Sequence, residues 1–313
     1  GYISEACKKI FAKNLEETMK MAAAGVVDEH PRVKYAGLSC LGMMLSEQAP
    51  KAQKTYHAEI MPQLLNIMDG DALLKVKTQA TSAAVNFVRE LIQIDEDEIE
   101  ETEKETPAIE NYTDHLLESC SKLFSEALNQ EYPPLQEEVL ALISCIATLI
   151  EDKFVKYYPN FMPGMKQIIM NTPNETNQQK ELRSNTIQTI GFLMDAIKNT
   201  KENMQEFKED GKEIVEIFSK MLTSGEIKEE DPQVTAITNA LTQVAAVLQD
   251  NFAPFLPTIM DKLLKDTQIS VDFKVEDADL PNTQEDGEDK LTSVTFKMKG
   301  FEGQKKISLN TTA

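Results

Sequence analysis

The side chains able to do chemistry in this sequence are few and scattered. There are three histidines, His30, His57 and His115, and four cysteines, Cys7, Cys40, Cys120 and Cys145. Nucleophilic or metal catalysis needs several such groups converging with a carboxylate, and their spacing gives no sign of convergence. No CxxC pair occurs, which argues against zinc ribbons and thioredoxin chemistry; reduced core thiols in an intracellular protein are the better reading. A nucleophile elbow, a P-loop, a dinucleotide fingerprint and HExxH are all missing. The adjacent acids Glu137-Glu138 and Glu229-Glu230-Asp231 diverge on a helix and read as solvated helix starts favoured by the dipole. The acidic run DEDEIEETEKET, Asp95–Thr106, lacks the glycine and ligand spacing of an EF-hand. The chemistry expected is that of binding: no enzyme, no cofactor, no metal.

Charge says what could be bound. The formal net charge is −20 over 313 residues, with 41% hydrophobic residues, enough for a packed core. Nucleic acid would be repelled over most of such a surface, so no direct nucleic-acid contact is expected. A basic partner would be attracted, and its encounter accelerated. No apolar run reaches the roughly 18 residues of a membrane span, and residues 1–30 hold no signal-peptide core, so no membrane contact is expected. The sequence opens GYISEACKK, without Met and in mid-pattern, and reads as a piece of something longer.

The elements that must carry this surface are helices. From Val33, apolar or small residues recur at Gly37, Cys40, Leu41, Met44 and Leu45, one stripe at helical spacing. The same offsets run from Val76 to Val88, from Leu135 to Ala147, from Leu182 to Met194 and from Val234 to Ala246. Between these lie helices of a second kind: YHAEIMPQLLNIM, YTDHLLESCSKLF, YYPNFMPGMKQIIM, EDGKEIVEIFSKML and FAPFLPTIMDKLL. The anchors Val33 and Val76 are 43 residues apart, and Leu135 and Leu182 are 47 apart. A period near forty with two alternating helix types predicts a helical-pair solenoid, of HEAT or armadillo type. The acidic run 95–106 explains the wider gap between Val76 and Leu135 and reads as a mobile loop.

Local signals sharpen the boundaries. His30-Pro31 starts a second helix, because proline in a first turn has no donor to lose. Pro50 forces the turn after it. Ala36, Gly37, Ser39 and Gly42 are small enough to let a neighbouring helix approach, which compensates Gly42's cost of about 1 kcal/mol in a helix. Met61-Pro62 and Met162-Pro163 fall deeper in their helices. After residue 269 the pattern changes to an acidic, aperiodic stretch. LTSVTFKMKGFEGQKKISL then alternates, with Val294, Phe296 and Met298 on one face and a turn near Gly300–Gly303, predicting a β-hairpin. The expected division is a solenoid of five to six pairs over 1–269 and an acidic insert with a hairpin over 270–313.

Three segments carry a family likeness: HPRVKYAGLSCLGMMLSEQAP, DKFVKYYPNFMPGMKQII and EEDPQVTAITNALTQVAAVLQDNFAPFLPTIMDKLLK. In this order they resemble the importin-β (karyopherin-β) superfamily, and its importin-five-like branch, over about residues 3–269. The acidic insert with its hairpin is similar to that branch too. The resemblance implies an all-α, right-handed superhelical HEAT solenoid and a nuclear import receptor that shuttles between cytoplasm and nucleus. It implies basic cargo, such as ribosomal proteins and histones, held by lysine-rich nuclear localisation signals on an acidic concave face. It also implies Ran-GTP release and nucleoporin FG contacts through the full-length receptor. The alternative is a structural HEAT scaffold that organises folded partners.

The resemblance implies cargo contacts near the ends of successive second helices: Glu5, Glu47 and Asn86. Their chemistry suits the role. Carboxylates bind lysine ammonium through charge-assisted bonds, and an asparagine can fix an extended backbone through its donor and its acceptor. Glu47 and Asn86 fall off the apolar stripe, at offsets 14 and 10 from Val33 and Val76. The branch often has an acid three residues after this asparagine, where this sequence has Arg89, which would repel a cationic peptide unless it turns away or pairs with an acid. Glu90 is the candidate substitute, about 100° further round the helix.

Overall fold

The computed structural model describes residues 8–92, 109–201, 204–228 and 231–260, and the backbone of 272–277, 292–296 and 305–310. The acidic run 95–106 lies outside the described residues. The chain divides into two compact units, residues 1–227 with 231–253, and residues 228–230 with 254–313.

The first unit is helical. A short α1 (Lys8–Lys13) precedes α2 (Leu15–Val26), α3 (Pro31–Glu47), α4 (Lys51–Asp69), α5 (Leu74–Ile92) and α6 (Glu110–Asn129). Then come α7 (Pro133–Ile150), α8 (Tyr158–Asn171), α9 (Asn177–Ile197), α10 (Met204–Thr223) and α11 (Pro232–Leu248). Consecutive helices pack as pairs: α2 with α3, α4 with α5, α6 with α7, α8 with α9, and α10 with α11. The second helices α3, α5, α7, α9 and α11 also pack on one another in succession, while the first helices touch each other more sparsely. This is a HEAT solenoid, and the more tightly packed row of second helices lines the inside of its curve.

Each helix starts where local chemistry places it. Pro31, Pro133 and Pro232 occupy first turns of α3, α7 and α11. His30 caps α3 by accepting the Arg32 N–H at its Nδ1, 3.2 Å away. Thr176 and Gln179 form a reciprocal capping box at α9. Pro62 and Pro163 do lie inside α4 and α8.

The apolar stripes form the core between the rows. Leu41, Leu45, Val76, Phe87, Leu135, Ile143, Ile190 and Leu193 are all buried. Two details differ from the sequence pattern. Val33 is 42% exposed, because the first turn of α3 projects past its neighbours. In α11 the buried face is Gln233, Ile237, Ala240, Leu241, Val244 and Leu248, so the template starts one residue earlier than Val234. A glutamine heads that stripe because it is spent on a buried polar network, and apolar spacing alone gave no sign of it.

Gly37 is the closest approach of α2 and α3. A Cβ there would stand 2.6 Å from the Gly25 carbonyl carbon and 2.7 Å from the Val26 nitrogen. Gly42 faces Ala83 and Asn86 of α5. Ala36, by contrast, is exposed and admits no neighbour.

The second unit holds three strands, β1 (Asp272–Asp277), β2 (Thr292–Phe296) and β3 (Lys305–Asn310). They form an antiparallel sheet in the order β1-β3-β2. Val294 lies opposite Ile307 on one side of β3, and Val275 lies opposite it on the other.

Candidate functional site

The inner row positions most of the residues singled out by sequence. Glu47 is the last residue of α3 and is half-buried. Asn86 and Glu90 lie on the C-terminal half of α5, both half-buried. Glu5 lies outside the described residues. A carboxylate at a helix C-terminus adds to the partial negative charge of the last carbonyls, and a cation is favoured there by both. Asn86 connects the two helices: its Nδ2 donates to the Gly42 carbonyl at 3.2 Å. One N–H and the Oδ1 acceptor of that amide remain for a bound backbone.

Arg89 is exposed near the end of α5 and faces α7. There it lines a groove of about 590 Å³ running across α5, α7 and α9, with Glu137, Glu138, Cys145, Gln188 and Phe192. Burial raises the Glu138 carboxyl above the usual carboxylate range, and the Ser82 hydroxyl and the Arg89 guanidinium pull against it. Burial likewise raises the Cys145 thiol, again with Arg89 opposing. The Glu137 carboxyl is raised by burial and by the nearby Glu181 carboxylate. Arg89 thus turns towards an acid of the next repeat. The sequence reading passed over Glu138 and Cys145. Their signal was present: they stand at offsets 3 and 10 from Leu135, on the same line as Asn86 at offset 10 from Val76.

The outer row is organised differently. Its acids pair with lysines one repeat away. Glu110 meets Lys153, and Asp114 meets Lys156 at 3.2 Å and the Tyr157 hydroxyl at 2.5 Å. Lys166 bonds Asp210 at 2.9 Å and Glu213 at 2.5 Å. Much of the outer negative charge is therefore matched within the protein. Between α6 and α8 an apolar groove of about 540 Å³ opens, lined by Phe124, Leu128, Phe161, Met165 and Ile168.

One outer cluster has the residue types of a hydrolase triad but not its geometry. Asp69 accepts from the Ser119 hydroxyl at 2.8 Å and pairs with His115 Nε2 at 2.7 Å. Both groups address the carboxylate, so histidine does not stand between serine and acid as proton relay demands. The cluster ties α4 to α6. Among the described residues, no group of three or more His, Cys, Asp or Glu could hold a metal ion. Among them too, no helix is long and apolar enough to cross a membrane.

Known proteins share this architecture. The family described as "Importin subunit beta-1-like, TPR repeats" matches residues 99–283. Importin subunit beta-3 of Saccharomyces cerevisiae is 26% identical over 285 residues, which is 90% of this chain and 24% of the relative. A probable importin-5 homolog of Dictyostelium discoideum is 27% identical over 172 residues, covering 55% of this chain and 15% of the relative. The chain thus spans a quarter or less of the curated relatives it matches. In structure it is similar to the karyopherin Kap121p, including the form bound to Pho4p, with a TM-score of 0.72 at 21% identity, covering 98% of this chain and 26% of that one. The form of Kap121p bound to Nup53p gives 0.73 over the same shares. With the family matched over more than half of its length and the HEAT pairs in place, the chain belongs to the importin-β family.

Proposed function

We propose that this chain is the cargo-binding section of a nuclear import receptor, taking extended lysine-rich segments along its inner row. The family consists of transport receptors, not enzymes. The observation that carries the reading is the shared register of Glu47, Asn86 and Glu90: half-buried polar groups at the C-terminal ends of two adjacent inner helices, joined through the Asn86–Gly42 bond. Carboxylate and helix end both favour a lysine ammonium, and the asparagine can hold the backbone between lysines. Glu5 would extend the same line by one repeat. Kap121p bound to Pho4p is the parallel among relatives. In the intact receptor, Ran-GTP releases the cargo by favouring another superhelical pitch, and the protein shuttles between cytoplasm and nucleus. The apolar groove between α6 and α8 suits the phenylalanines of nucleoporin repeats. Ribosomal proteins and histones have the right charge.

The test is fluorescence anisotropy of a labelled lysine-rich peptide at two salt concentrations. Glu47→Lys is expected to weaken binding about tenfold or more at low salt, with a smaller difference at high salt. Unchanged affinity, with the fold intact by circular dichroism, removes Glu47 from the site. Preference for folded subunits over the peptide favours a scaffold instead.

A further inference from the structure

Arg89 stands in the inner row where a cation would seem to oppose basic cargo. Its surroundings give it a specific role. It shares the groove of about 590 Å³ with Glu137 and Glu138 of α7, two helical positions that no other sequence signal had marked. Glu138 is half-buried and Arg89 is exposed. The carboxylate is thus fixed in the groove wall, whereas the guanidinium sits on a long stem with access to water.

We propose that Arg89 is a built-in competitor for cargo: its guanidinium covers Glu138 in the empty groove and must be displaced when a lysine of an extended basic segment reaches that carboxylate. This rests on the reading that lysine-rich segments bind the inner row, and it names a residue that sets how tightly they do.

The physical case has three parts. A carboxylate withdrawn from water needs a cation, and burial is the largest influence on Glu138, with Arg89 acting against it. A lysine ammonium supplies the same charge, so the two cations exclude one another at a single acid. Displacing Arg89 carries a small cost, because its exposed guanidinium is rehydrated as it leaves. The net effect is to lower affinity without removing the site. The cargo then has to bring enough lysines to engage Glu47 and Glu90 as well as to win Glu138. The inner row would discriminate by lysine number, rejecting segments with a single basic residue.

The experiment measures the affinity of the 313-residue chain for a fluorescein-labelled lysine-rich peptide, comparing wild type, Arg89→Ala, Glu138→Gln and the double variant. Arg89→Ala is expected to bind about fivefold more tightly. In the Glu138→Gln background the same change should have little effect, since the competed acid is gone. Lys122→Ala, on the outer row beside Glu118, removes the same charge elsewhere and should change affinity less than twofold, by the screening of distant charges. Thermal melts followed by circular dichroism separate a folding defect from a binding effect. The proposal is overturned if Arg89→Ala binds equally or more weakly, or if its gain persists undiminished with Glu138→Gln. If Glu47→Lys still weakens binding while Arg89→Ala changes nothing, only the competitor role fails. If no variant binds the peptide, the cargo reading fails and the competitor role with it.

Discussion

Asn86 donates its side-chain amide to the backbone carbonyl of Gly42, 3.2 Å away on the preceding inner helix. The contact exists because Gly42 has no side chain; a Cβ there would sit 3.3 Å from the Asn86 nitrogen and 3.4 Å from Ala83 Cα. One residue therefore serves both the joint between two repeats and the surface on which cargo would lie.

Asn86→Ala should show both losses. The missing bond should lower stability by about 1 kcal/mol, measured by urea denaturation. Peptide affinity should fall as well. A stability loss with unchanged affinity would confine Asn86 to the joint.

Gly37→Ala and Gly164→Ala should move stability in opposite directions. A Cβ at Gly37 meets backbone atoms of Gly25 and Val26 at 2.6–2.9 Å, and backbone cannot swing away as a side chain can. A cost of about 1–3 kcal/mol is expected. At Gly164, inside α8, a Cβ meets nothing within 4 Å. There the better helix propensity of alanine should add up to about 1 kcal/mol. Thermal melts of the two variants against wild type decide the matter.

Arg183→Met should be among the most damaging single changes. Buried Arg183 donates Nε to Gln233 at 2.8 Å and a terminal nitrogen to the Thr172 carbonyl at 2.7 Å. Gln233 in turn donates to Asn174 at 2.7 Å and to Asp231 at 3.0 Å. Removing the guanidinium strands these acceptors and leaves Asp231 with Lys180, 3.4 Å away, as its partner of opposite charge. The expected loss is about 3 kcal/mol. Hydrogen exchange should rise first at the start of α11, and uniform exchange along the unit would count against this account.

Asp69 should make stability depend on acid. Burial raises its carboxyl, but the hydrogen bonds from Ser119 and His115 outweigh it, and the net shift is downward. A depressed carboxyl stabilises the fold above its unfolded value of about 4 and loses that contribution as pH falls below it. Asp69→Asn should therefore cost on the order of 1 kcal/mol at pH 7, discounted for partial exposure, and almost nothing at pH 3. Denaturation curves at the two pH values check the sign; an equal cost at both would refute it.

Much of the repeat architecture was legible because stripes at i, i+4, i+7 and i+8 are dictated by burial. Leu41, Phe87, Ile143 and Leu193 are buried as their spacing required. The template slipped in α11, where the leading position is Gln233. A polar residue satisfied by Arg183, fifty positions away, cannot be told from a surface residue by periodicity. The inner row's polar positions were legible in part. Glu47, Asn86 and Glu90 lie off the stripe, where chemistry is free to vary. Glu138 was missed because an acid in a helix's first turns has an ordinary explanation, and only the packing of α5 against α7 brings Arg89 to it.

The outer row is tied by lysine–carboxylate pairs such as Lys166 with Asp210, whereas the inner row meets through seams without charge, such as Gly42 against Ala83 and Gly191 against Ala240. Exposed ion pairs contribute roughly 0–1 kcal/mol each and weaken with salt, while close-packed seams resist parting at any ionic strength. The solenoid should accordingly behave as a one-sided spring. Its back stretches readily and softens in salt, and its belly holds its spacing, so a guest lying along the belly could be accommodated by flexing the back and leaving its own footing undisturbed.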